Sequence, residues 1–93
     1  MTADNEEAGN QVGLVLSNAT ALVLFDFLSR AIDDEEGRAL RGLIHDDAEI
    51  WALNDLYCLL QSNRPEPFAG DYATMVEAAR SELLRLHGGR WPR

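Results

Sequence analysis

The sequence predicts a mainly α fold: a small three-helix domain preceded by one short N-terminal strand. Three observations carry that reading. Apolar residues recur at helical spacing in three stretches, Ser or Asp stands where each stretch begins, and Gly or Pro follows the second and third. A chain of 93 residues is the length of one domain, and 46% hydrophobic with 26% charged residues is a globular composition, not a disordered one.

Residues 1–11 read as a mobile acidic tail. Val12 to Leu16, V-G-L-V-L, is short, apolar and β-rich, which predicts the strand. Ser17-Asn18 follows, a pair suited to a helix N-cap, and opens a first helix over about Ala19 to Asp33. That helix is apolar around most of its circumference, so it must be buried on several sides or covered by a partner. Its polar positions are few, and Asp26 and Arg30 stand four apart on one stripe, where they can pair.

An acidic turn, Asp34-Glu35-Glu36-Gly37, comes next. In Arg38 to Ile44 the apolar positions Leu40, Leu43 and Ile44 fit a helical turn or an extended segment near 39–44, and both alternatives stand open. Asp46 or Asp47 caps a second helix, about Asp47 to Gln61, with acids in its first turn to suit the dipole. Ile50, Leu53, Leu56, Tyr57 and Leu60 form its apolar face, widened by Trp51 and Leu59. Two prolines and a glycine make the following S-N-R-P-E-P-F-A-G a loop. Asp71 then caps a third helix, Tyr72 to His87, with Tyr72, Met75, Val76, Ala79, Leu83 and Leu86 on its apolar face. Gly88-Gly89 ends it, which leaves 12–87 as the helical domain and 88–93 as a flexible tail.

The charge excludes whole classes of function. Sixteen acids face eight basic residues, all Arg, for a net charge of −8. A protein that grips phosphates needs a basic surface, so direct nucleic-acid binding is not expected, and neither is docking on an anionic membrane. The opening M-T-A-D-N-E-E-A-G-N has neither the basic region nor the apolar core of a signal peptide, so a cytoplasmic location is expected. The single cysteine excludes an intramolecular disulfide.

Catalytic and metal motifs fare no better. His45, Asp46, Asp47 and Glu49 are metal-capable types, but helix capping explains the acids, and a site needs three or four convergent ligands. A calcium loop counted from Asp33 would put Arg38 at its sixth position and Ile44 at its twelfth, where Gly and Glu are required. Cys58, in mid-helix, reads as a semi-buried core filler and Ser17 as a cap. Gly88-Gly89 closes a helix instead of opening one over a phosphate. No enzyme, cofactor or metal is therefore expected.

The segment Leu16 to Arg30, L-S-N-A-T-A-L-V-L-F-D-F-L-S-R, resembles the opening of a family of small, mostly uncharacterised bacterial proteins. In that family a strand and a Ser precede a helix reading roughly E-A-L-V-L-F-E-F-L. The resemblance continues through Ala48-Glu49, Leu53, Asp55-Leu56, Pro67-Phe68, Asp71-Tyr72 and Ala79-Arg80. This chain departs from the pattern at Asn54, where the family has a Trp, and carries Trp51 one turn earlier. The resemblance implies the strand-then-helix opening and brings no activity or ligand with it. In size and acidity the chain is similar to immunity proteins and antitoxins.

What remains is charge asymmetry. Residues 1–55 hold twelve acids and three Arg (−9), and residues 56–93 hold four acids and five Arg (+1). Such a field steers a basic protein partner, with contacts expected among Asp33, Asp34, Glu35, Glu36, Asp46, Asp47, Glu49 and Trp51. The same acids could instead imitate the phosphates of DNA, or serve only solubility. The competing expectation is a homodimer formed through the Ala19 to Ile32 helix.

Overall fold

A computed structural model describes residues 10–63 and 71–92 of the chain. Three α-helices make up most of it: α1 (Asn18–Leu28), α2 (Asp47–Ser62) and α3 (Tyr72–His87). A π-helical turn, Ser29–Asp34, extends α1, and a 3₁₀ turn, Arg38–Leu40, leads toward α2. The tail 1–9 and the Arg64 to Gly70 part of the expected loop lie outside the described residues. Among the described residues no helix is long and apolar enough to cross a membrane.

Each helix starts for a local reason. At α1 the extended Ser17 accepts a hydrogen bond on its hydroxyl from the Thr20 N–H (3.1 Å), which satisfies one of the orphan donors of the first turn. At α2 the Asp46 carboxylate accepts from the Ala48 N–H (3.0 Å), and Asp47 and Glu49 sit in the first turn. At α3 Asp71 occupies the cap position without a side-chain cap bond. Gly88 ends α3 at φ 85°, with the Gly89 N–H reaching back to the Leu84 carbonyl (2.7 Å).

The predicted strand does not form. Val12 to Leu16 is described as irregular backbone, and among the described residues it joins no sheet. A strand needs a partner edge, and the rest of the described chain is helices and turns. The open alternatives near 39–44 resolve as a 3₁₀ turn followed by further turn, with Leu43 donating to the Leu40 carbonyl (2.9 Å). There is no extended segment there.

α1 is the central element: α3 packs on one part of its surface, α2 on another, and the π turn continues it. Its apolar circumference is accordingly half-covered or buried except at Phe27. Phe25 and Leu28 from α1 meet Tyr57 and Leu60 from α2, with Ala21, Leu24, Ile32, Leu53, Leu56 and Tyr72 packed around them. Phe25 is the ring that joins all three helices, 5.4 Å from Tyr57 and edge-on to Tyr72 at 6.5 Å. Val76 and Ala79 bring the buried face of α3.

The π turn has a structural consequence. Asp33 is five residues past Leu28, which in a regular α-helix is a rotation of about 140° away from it. A wider turn, in which the Glu35 N–H bonds the Arg30 carbonyl (3.0 Å), advances less per residue and swings Asp33 back toward α2. There its carboxylate accepts the hydroxyl of Tyr57. Glu36 (φ 55°) and Gly37 (φ 77°) close the turn in left-handed backbone. Glycine suits position 37 for its left-handed backbone, and a Cβ there would only make ordinary van der Waals contact with Ile50 of α2, at 3.4 Å.

The sequence overstated some burial. Cys58, Met75, Leu59 and Leu86 are exposed, because α2 and α3 each face α1 along one stripe, and apolar residues beyond that stripe have nothing to meet. Leu28 is the largest fully enclosed side chain among the described residues. Leu28→Ala should therefore destabilise the fold by about 3 kcal/mol, seen as a lower urea midpoint at unchanged slope.

Candidate functional site

Two polar features could bear function, and the first proves structural. Asp26, near the end of α1, accepts on Oδ1 from the Tyr72 hydroxyl (2.8 Å) and on Oδ2 from Arg80 Nη2 (2.9 Å) and Arg30 Nε (3.2 Å). The pairing with Arg30 is the one its spacing predicts, while Tyr72 and Arg80 come from α3. Burial pushes the Asp26 pKa up, but the hydrogen bonds from Tyr72, Arg30 and Arg80 together outweigh it and hold the group below the ordinary aspartate range. A carboxylate held ionised, with donors on both oxygens, is a fastener between helices and a poor proton acceptor.

Tyr57 is likewise unsuited to reaction. Burial raises its pKa, the hydrogen bond to Asp33 and the charges of Asp33 and Asp34 raise it further, and the Ser29 hydroxyl acts the other way without reversing the rise. The phenol is thus held neutral. Among the described residues no three His, Cys, Asp or Glu side chains converge where they could hold a metal ion.

The second feature is a groove on the acidic end. Phe27, Arg30, Ala31, Asp34, Glu35, Ala39, Leu40 and Leu43 line an open depression of about 570 Å³ between the π turn and the 3₁₀ turn. Buried Ala31 and Leu40 form its floor, and the exposed Phe27 and Leu43 stand at its sides. Arg30 lies over the Phe27 ring at 5.8 Å. The Asp34 and Glu35 carboxylates are held by no hydrogen bond or ion pair among the described residues.

The other expected contact residues are brought near this end but are already engaged. Asp33 is tied to Tyr57, Glu36 pairs with Arg38 (3.0 Å) and Asp47 with Arg41 (3.1 Å). Asp46 caps α2, and Glu49 accepts from the His45 N–H (2.9 Å). The Arg41–Asp47 bridge and the approach of Gly37 to Ile50 bind the two acidic runs to one end of the molecule. Residues 33–49 hold seven acids and two Arg, a local balance of −5. Trp51 is 67% exposed on α2 and does not line the groove.

Sequence reasoning did not place Phe27, Arg30, Ala39 or Leu43 among the contact residues. The one available signal was Leu43 beside Gly42, a large apolar residue in a segment too short and glycine-broken to bury it. The groove is open to solvent and mixes apolar side chains with Asp34, Glu35 and Arg30. Searches of family models, of curated proteins and of solved structures find nothing that matches this chain.

The Asp26 fastener sets a pH dependence. Its folded pKa lies below the unfolded value near 3.8, so its contribution is present above that value and is lost as pH falls through the folded one. In urea titrations Asp26→Asn should be less stable than the parent protein at pH 6, by about 1–3 kcal/mol for the weakened ties to Arg80 and Arg30. The gap between the two should close as pH falls below the unfolded value.

Proposed function

We propose that this chain is a small acidic binding module that docks on and regulates a basic protein, in the manner of immunity proteins and antitoxins. The observation that carries the reading is the groove itself: an apolar floor and sides, with two carboxylates at its edge that no group among the described residues satisfies. A basic partner offering an Arg or Lys beside an apolar side chain complements both features. The Arg stem or apolar residue would cover Leu40, Phe27 and Leu43 while its charge meets Asp34 and Glu35.

The surrounding acids have a secondary part in this reading. Glu36, Asp47 and Glu49, each spoken for within the fold, add to the long-range field that speeds encounter with a basic surface. Asp33 and Asp46 hold structure, and Trp51, exposed on α2, offers an aromatic contact outside the groove. The reading assigns no catalysis, cofactor or metal to the chain, and a cytoplasmic location suits it. The resemblance of Leu16 to Arg30 to a family of small bacterial proteins fits a module of this kind without specifying its partner.

The test uses the full chain as bait in nuclease-treated lysate of the native host, with duplex DNA as competitor. A basic protein should be retained stoichiometrically in low salt and weakened in high salt. Asp34→Lys with Glu35→Lys should lower its affinity at least tenfold, about 1.4 kcal/mol, and Leu43→Ala should also weaken it. Retention unchanged by these substitutions would overturn the groove. Displacement by duplex DNA would move the reading to a DNA-mimic inhibitor.

A further inference from the structure

The stretch that reads as a strand is the least satisfied part of the described chain. Val12 is 83%, Leu14 74% and Val15 98% exposed, with Leu16 at 38% where the backbone turns into the α1 cap. Among the described residues none of Val12 to Leu16 makes a backbone hydrogen bond. The segment contains no proline and no charge, the devices by which proteins usually blunt a free strand edge. Extended Ser17, at φ −66° and ψ 159°, carries the chain from it directly into α1.

We infer that Val12 to Leu16 pairs antiparallel with the same segment of a second copy, forming a two-stranded ribbon across a two-fold axis. Two observations favour a second copy over another occupant. The first is self-complementarity. In extended backbone Val12, Leu14 and Leu16 share one face, and Gly13 and Val15 share the other. With Leu14 opposite its own equivalent, Val12 meets the partner's Leu16, and three large apolar side chains from each copy gather on one face. Leu16, the least exposed of them, adjoins the α1 cap, so that face runs up to the start of α1.

The second observation is charge. From Ala8 through Phe25 the chain carries no charged side chain, although the whole bears −8. Two copies repel one another wherever acids face acids, most strongly at the −5 end that holds the groove. The neutral N-terminal stretch is where they can meet without that penalty. A ribbon alone is marginal in water, and here the half-covered N-terminal half of α1 (Ala19, Ala21, Leu22, Val23) lies immediately next in sequence to support it. The inference is independent of the docking groove.

The measurement is the mass of the full chain by light scattering from low to high micromolar concentration. The chain should approach twice its 10.3 kDa. Leu14→Pro and Val15→Lys should shift the dissociation constant at least tenfold toward monomer. Their far-ultraviolet helix signal should stay at the parent level, since the segment makes no backbone bond in the monomer. In a Cys58→Ser background, Leu14→Cys should form a covalent dimer on mild oxidation, and Ser81→Cys on α3 should not. A parent chain monomeric throughout would overturn the inference. So would a dimer that survives both strand substitutions and fails to cross-link at position 14, which would place the contact on the helix instead.

Discussion

Two tyrosine–carboxylate ties across the central helix hold the arrangement in register. α1 and its π extension present Phe25 and Leu28 to the core, with Asp26 and Asp33 at either side. Tyr72 of α3 donates to the first carboxylate and Tyr57 of α2 to the second, while both rings pack on Phe25. Apolar packing alone would tolerate sliding of one helix along another, since Leu, Ile and Val faces are interchangeable in kind. A hydroxyl that must find one particular carboxylate is not so tolerant, because a slip would leave both groups partly buried and unsatisfied. Arg80 strengthens the α3 tie by adding charge to it.

That design explains which parts of the fold were legible in the sequence. The limits of α3 were readable to the residue and those of α2 to within one, because period, cap and stop are local signals that tertiary contacts only reinforce. The Asp26–Arg30 pair was readable for the same reason. The π turn was not. What accompanies it is non-local: Asp33 meets Tyr57, twenty-four residues on, and left-handed Gly37 lies against Ile50. The strand failed for the opposite reason: V-G-L-V-L has the local character of a strand, but strands are non-local, and the described chain offers no edge to pair with.

The candidate groove was half legible. Its acids stood out as a run, Asp33 to Glu36, but the sequence could not separate the two that are engaged from the two that are not. That sorting depends on which way the π turn rotates each side chain. Its apolar half was hidden, since Phe27 looked like one more core residue of a uniformly apolar helix and Leu43 like part of an indeterminate segment. Both are exposed, Phe27 on α1 and Leu43 on the turn that follows Leu40.

A small three-helix domain has little core to spare, and this one leaves much of its apolar surface uncovered. Chains of this length bury only about 60–65% of their unfolded surface, and single cores at this size supply modest stability. Among the described residues Phe25, Leu28, Tyr57 and Leu60 form the central cluster with partly buried residues around it, and Ala31, Leu40, Val76 and Ala79 are also buried. Val12, Val15, Leu43, Trp51 and Leu59 face outward. Two parts of that outward surface differ in chemistry: Phe27 and Leu43 of the groove lie among acids, and Val12 and Val15 of the N-terminal segment lie in a neutral stretch, while Trp51 and Leu59 on α2 belong to neither. A partner that binds only the folded form stabilises it by mass action, so a basic protein in the groove and a second copy on the N-terminal segment would each add to a thin core. The two surfaces use different residues, one set among acids and the other in an uncharged stretch, so a basic partner and a second copy would not compete for the same side chains.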